Sequence, residues 1–139
     1  MKTIETQFVF EQAALTQRLI KKIDSQLSIH GISFTEYLIM NALDSAPNQM
    51  MRRIELAESV GLSASGVTRI LAPMEKIKLV EKESNPRDAR VSLVKLSEPG
   101  KVIFDEASIS FAHTAKQLTN KLNEVQIKKM LGFIVQLSD

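Results

Sequence analysis

Apolar positions recur at helical spacing toward both ends of the chain and alternate only in a short stretch past its middle. Ile4, Phe8, Leu15, Leu19, Ile23 and Leu27, separated by Gln, Lys and Arg, predict one long helix over residues 4–30, with Gly31 as its stop. Ser33-Phe34-Thr35-Glu36 is a Ser-x-x-Glu capping box opening a second helix through Tyr37, Leu38, Met40, Ala42 and Leu43, which Pro47 and Asn48 end. Met50 and Met51 suggest a very short strand before Arg52 and Arg53. Residues 54–60 form a two-turn helix with Leu56, Ala57 and Val60 inward, Gly61 makes a turn, and Ser63 caps a helix running toward Lys78. Residues 79–83 and 91–96 alternate and flank the turn-rich Ser84-Asn85-Pro86-Arg87-Asp88-Ala89-Arg90, which predicts a hairpin. Ser97 and Pro99 suit the start of a fifth helix through Ile103, Ala107, Phe111, Ala115, Leu118 and Leu122. A sixth carries Val125, Ile127, Met130, Leu131, Ile134 and Leu137.

The expected fold is therefore mainly α, with six helices and a small β-hairpin wing: a winged helix-turn-helix in a dimer. Three regions follow: helices for dimerisation and scaffold over residues 1–46, a winged helix-turn-helix lobe over 47–97, and dimerisation helices over 98–139. The terminal regions carry long apolar stripes that one central lobe cannot cover. They are expected to pack together and against a second copy of the chain.

Chemistry concentrates between Arg53 and Arg90. Ala57 is small where two short helices cross, Gly61 permits a positive φ at the turn, and Val67 and Ile70 anchor the second helix on the first. Ser63, Ala64, Ser65, Thr68 and Arg69 are left on the outer face. Small hydroxyls let a backbone approach phosphates and base edges, and Arg69 can pair with guanine O6 and N7 or clamp a phosphate. At the hairpin tip, Asp88 sits between Arg87 and Arg90 and can hold Arg90 extended through a charge-assisted bond. A fixed arginine suits a narrow minor groove. The competing structural reading is a helical hairpin in an all-α core with a solvated, ion-paired turn.

Composition narrows the classes. The chain has 139 residues, a net charge of +2 and no cysteine. Its charge is too weak to attract nucleic acid as a general field, and basic and acidic residues nearly balance across residues 47–100. Any DNA contact must come from the placement of a few bases. Disulfides, thiolate metal sites and cysteine redox switching are excluded, which fits a cytoplasmic protein. No apolar run approaches a membrane span, and MKTIETQFVFEQ does not read as a secretion signal. Catalysis finds little support. His30 and His113 lack ligand-spaced partners, phosphate-binding glycine patterns are absent, and Asp105-Glu106 point different ways on one turn. No enzyme activity, cofactor or metal is expected.

The run LAESVGLSASGVTRIL followed by LVEKESNPRDARVSLVKLSEPG resembles the MarR (multiple-antibiotic-resistance regulator) family of bacterial repressors. Asp88-x-Arg90, then Leu93, Leu96-Ser97 and Gly100, matches that family's wing and the entry to its fifth helix. The resemblance implies a homodimeric regulator, a repressor in most such cases, binding palindromic double-stranded DNA. Ser63, Ser65, Thr68 and Arg69 would contact the major groove and Arg87, Asp88 and Arg90 the wing's groove. It also implies a small aromatic-acid effector; Arg18, His30 and Tyr37 are candidate lining residues, although His30 also reads as a helix-end residue and Tyr37 as half-buried core. Two positions depart from the family pattern. Pro73 lies inside the proposed recognition helix and predicts a bend there, or a break near Ala72 with a restart. Lys78 stands where the family usually has glycine, so the turn into the wing must be made without glycine's freedom. The rival from another class is a winged-helix protein-interaction module that does not bind DNA.

Overall fold

The computed structural model describes residues 2–138. In chain order the helices are α1 (Ile4–Leu27), α2 (Phe34–Ser45), α3 (Arg53–Val60), α4 (Ala64–Lys76), α5 (Glu98–Leu118) and α6 (Glu124–Leu137), with strands β1 (Met50–Arg52), β2 (Val80–Asn85) and β3 (Asp88–Leu96). The first helix is shorter than its apolar pattern suggested. It tightens into a 3₁₀ turn at Ser28–His30 and stops at Gly31, whose φ is 75°. The capping box of α2 forms in full: Glu36 N–H donates to Ser33 Oγ at 3.1 Å, and Ser33 N–H donates to Glu36 Oε1 at 2.8 Å.

The wing is a three-stranded antiparallel sheet, not a hairpin alone. Its order is β1-β3-β2, with Met51 opposite Val94 on one side and Lys82 opposite Val94 on the other. β1 thus stitches the start of α3 to the wing. β3 begins at Asp88, so the loop is only Pro86-Arg87, shorter than the turn-rich segment suggested. The register shifts between Ser84 and Asn85, where the strands cease to pair residue for residue.

Leu27, Ile39, Met40, Leu43, Leu56, Val67, Leu71, Met74, Val80 and Val94 form the fully buried heart of the core. These residues come from α1, α2, α3, α4 and both long strands, so the helix-turn-helix, wing and scaffold share one interior. The terminal helices behave differently. α1 buries only Ile23 and Leu27, and α6 buries none of its described residues. Phe8, Val9, Phe10, Leu131, Phe133, Ile134 and Leu137 all lie on the surface of the single chain. The expected packing of the two terminal stripes therefore does not bury them within one protomer. Leu122 falls beyond the end of α5, in the turn before α6.

Helices α3 and α4 end in the same way. In each, the residue after the cap is left-handed and two backbone N–H groups turn back onto the last carbonyls, the Schellman arrangement. After α3 the left-handed residue is Gly61 (φ 71°), and Leu62 N–H reaches the Ala57 carbonyl at 3.0 Å. After α4 it is Lys78 (φ 64°); Lys78 N–H reaches Glu75 at 3.0 Å and Leu79 N–H reaches Met74 at 2.9 Å. This is why α4 stops at Lys76 and does not continue to Lys78. It also answers the missing glycine: lysine adopts the left-handed conformation that glycine would take at less cost.

Pro73 does not split the recognition helix. Ala64–Lys76 is one helix with Pro73 inside it. The proline deprives the Arg69 carbonyl of its partner, but Arg69 and Pro73 both lie on the exposed face, where water can serve that carbonyl. Only one turn follows Pro73, so little helix remains to be disrupted.

Candidate nucleic-acid interface

Helix α4 presents two unlike faces. Val67, Leu71 and Met74 are buried, while Ala64, Ser65, Thr68, Arg69, Ala72 and Lys76 are exposed. The spacing of three and four puts Ser65, Thr68, Arg69 and Ala72 along one solvent stripe. Ser63 serves the helix itself: its Oγ accepts from Gly66 N–H at 3.0 Å and lies 3.3 Å from Ser65 Oγ. An N-cap hydroxyl leaves the first N–H groups of the helix facing outward, a setting that favours phosphate. Arg69 is exposed and, among the described residues, has no ion pair or hydrogen bond, so its guanidinium is open to a ligand.

Thr68 is less free than the sequence suggested. Its Oγ1 accepts from Arg53 Nη1 at 3.2 Å, and Arg53 Nη2 donates to Glu75 Oε1 at 3.2 Å. Lys82 of β2 lies 3.8 Å from the other Glu75 oxygen. Arg53 thus ties the start of α3 to two points on α4, and Glu75 extends the link to the wing. The sequence reading assigned Arg53 no role. The signal lies in the seven-residue spacing of Thr68 and Glu75, two turns of one helix face, and becomes legible only when α3 is known to cross it.

At the wing tip the Asp88–Arg90 pairing forms as reasoned. Asp88 Oδ1 accepts from both the Arg90 backbone N–H (3.0 Å) and Nε (3.2 Å), while Nη2 lies 3.4 Å from Oδ2. The side-chain bond from Arg90, then the backbone bond, hold the Asp88 carboxyl below the usual aspartate range. The carboxylate also supplies the partner that the Arg90 N–H lacks where the register breaks. Arg90 nevertheless remains 92% exposed. It is oriented, not buried. Arg87 is exposed, and its backbone N–H donates to Asn85 Oδ1 at 2.9 Å, which shapes the tight loop.

The wing is anchored at its base by Ser97 and Gly100. Ser97 Oγ lies 2.6 Å from the Lys78 carbonyl and 3.0 Å from that of Leu79, and accepts from Gly100 N–H at 2.9 Å. A methyl group at Gly100 would overlap the Leu79 carbonyl oxygen. The start of α5 therefore presses backbone against backbone on the exit of α4, a contact only glycine allows.

Arg18, His30 and Tyr37 sit on three different elements: α1, the turn at Ser28–His30, and α2. Arg18 is exposed on α1. His30 Nε2 lies 2.7 Å from Ser110 Oγ, and Tyr37 is buried, with its hydroxyl 2.9 Å from Ser108 Oγ and its ring stacked against Phe104. Both residues join α5 to the α1–α2 corner. A groove of about 740 Å³ lies between α2, β1 and α3, lined by Leu38, Ala42, Met50, Met51, Glu55 and Val60 among others. Among the described residues no cluster of three or more His, Asp or Glu could hold a metal, and no helix is long and apolar enough to cross a membrane.

A helix pair with a capped, solvent-facing second helix, followed by a β-wing tipped with a clasped arginine, defines a winged helix-turn-helix protein. Residues 30–91 match the sequence model of the MarR family. The HTH-type transcriptional regulator YhbI of Bacillus subtilis is 26% identical over 94% of this chain and 88% of its own length. The transcriptional repressor MprA of Escherichia coli is 26% identical over 67% of this chain and 57% of its own. A MarR family transcriptional regulator from Streptomyces coelicolor, solved in complex with DNA, superposes with a TM-score of 0.87 at 23% identity, covering 99% of this chain and 88% of that one; at that identity the likeness is one of fold. The MarR-family match covers residues 30–91, from the end of the first helix through the wing tip, and the likeness of fold extends over nearly the whole chain.

Proposed function

We propose that this protein is a sequence-specific DNA-binding regulator of transcription that acts as a homodimer on an inverted-repeat site. One observation carries the reading: α4 turns Ser65, Thr68 and Arg69, which has no partner among the described residues, to solvent on a single stripe, and the wing that follows holds Arg90 extended. The helix stripe suits a major groove, where Arg69 meets guanine O6 and N7 or a phosphate. Arg90 suits the adjacent minor groove, with Arg87 beside it on the backbone. The first turn of α4, capped by Ser63, serves phosphate.

The exposed apolar residues of α6 and of the first half of α1 support the dimer. A helix of about four turns with no buried residue is marginal in water on its own, and apolar patches of this kind mark interfaces. A second copy covers them by two-fold symmetry, which sets two α4 helices to read half-sites roughly 34–36 Å apart. The regions 1–46 and 98–139 then supply the dimer, and 47–97 the DNA-binding lobe. Repression is the expected sense, by steric exclusion at the operator, and the cytoplasm is the expected compartment.

An effector belongs to this reading as its finer part. A small aromatic acid would release DNA only by binding better to a dimer whose lobes are wrongly spaced. His30 and Tyr37 are engaged by α5 and are poor choices for its contacts. Selection of bound fragments from random duplex DNA tests the proposal. It should return a palindrome; retention without sequence preference would refute specific recognition. A chain lacking residues 124–139 should sediment as a monomer and lose this selectivity.

A further inference from the structure

We infer that Arg53 fixes the hydrogen-bonding sense of Thr68 and is therefore a specificity-determining positioning residue of the recognition helix. The inference rests on the DNA-binding reading above. A guanidinium has donors and no acceptor. Thr68 must therefore accept from Arg53, and the hydroxyl hydrogen is turned away from the positive charge. Among the described residues no protein acceptor takes that hydrogen. One lone pair is occupied, and the other is weakened by the cation alongside. Thr68 thus faces outward as a donor.

A threonine free to rotate could donate or accept. One held in this way favours base-edge acceptors: purine N7, guanine O6 or thymine O4. It disfavours the amino groups of cytosine and adenine. Arg53 can impose this only because it is itself held. Its second nitrogen is bound to Glu75, and both side chains are only 26% exposed. Lysine can satisfy Glu75 or Thr68 but cannot span both, because its ammonium is a single point and not a fork.

The test compares wild type, Arg53→Lys, Thr68→Val and the double variant against duplexes changed one base pair at a time within the half-site that wild type selects. Thr68→Val should lose about three- to tenfold discrimination at one position, the worth of one hydrogen bond. Arg53→Lys should lose a similar factor at that same position, and the double variant should lose no more than Thr68→Val. Glu75→Gln, which leaves the Thr68 contact in place but loosens its anchor, should relax that position by a smaller factor; it serves if Arg53→Lys fails to fold. Unchanged preference in Arg53→Lys, or losses at different positions, would overturn the inference and leave DNA binding standing. A uniform loss across all duplexes, with base preference unchanged at every position, would also overturn it, since Arg53 would then be a phosphate contact. If wild type selects no sequence at all, the DNA-binding reading and this inference fall together.

Discussion

Replacing Lys78 by glycine should stabilise the protein. Lys78 holds a left-handed backbone (φ 64°) at the exit of α4. For an L-residue this conformation costs about 1–2 kcal/mol, a clash between Cβ and the backbone that glycine lacks. Glycine brings an opposing term, since its freer unfolded chain costs about 0.4–1 kcal/mol on ordering. The side chain contributes little: Lys78 is exposed and makes no ion pair among the described residues. The backbone bonds Lys78 N–H to Glu75 and Leu79 N–H to Met74 are available to glycine unchanged. The net gain is about 0.5–1 kcal/mol, or about 2–4 °C in melting temperature for a chain of this size. Gly61 supplies the control within the same molecule. It ends α3 in the same motif with φ 71° and open space around its absent Cβ, so Gly61→Ala introduces the strain without a collision and should destabilise by about 1 kcal/mol. Thermal melts by circular dichroism at a fixed protomer concentration would measure both, because a dimer's midpoint moves with concentration. A lower midpoint for Lys78→Gly would refute the strain argument, and so would an unchanged one for Gly61→Ala.

Four further outcomes are expected. Gly100→Ala should cost about 2–3 kcal/mol in chemical denaturation, because the new methyl forces α5 away from the Leu79 carbonyl; a loss below 1 kcal/mol would show that the junction gives way cheaply. Arg90→Ala should weaken operator binding by about ten- to a hundredfold with the dimer intact, the worth of a charge-assisted bond in the groove, as read by gel-shift beside sedimentation. Because Arg90 holds the Asp88 carboxyl below its ordinary range, the clasp is complete above the ordinary aspartate pKa and is lost only as pH falls through the lowered value; wild-type affinity should not report Asp88 between about pH 5 and 8. The Lys101 ammonium is pushed above the usual lysine range by Asp44, then Asp105, so its contribution is full below the ordinary lysine pKa and fades as pH rises through the raised one. The gap in urea midpoint between wild type and Lys101→Met should therefore hold from neutral to mildly alkaline pH and narrow beyond it; a gap that widens would contradict the pairing.

Local order was written in local sequence. The Ser33–Glu36 box, the Ser63 and Ser97 caps, the Gly31 and Gly61 stops and the inward anchoring of Val67 and Ile70 each depend on residues within about two turns of one another, so spacing alone revealed them. The Asp88–Arg90 clasp was legible for the same reason: two residues apart, it needs no distant partner. What the chain's order could not display were contacts between segments far apart in number. The third strand of the wing needed Met51 to find Val94, and Arg53 needed α3 to cross α4 before it could reach Glu75. Tyr37 and His30 read more readily as core and helix end than as pocket, but the partners that α5 supplies, Ser108 and Ser110, were invisible in the sequence. Lys78 marked an unusual turn, but only the folded backbone revealed that it adopts the left-handed state regardless. Periodicity and capping act through the neighbouring turn of chain. Burial, register and the partner of a buried or half-buried polar group depend on which distant surfaces meet, and only the folded arrangement decides that.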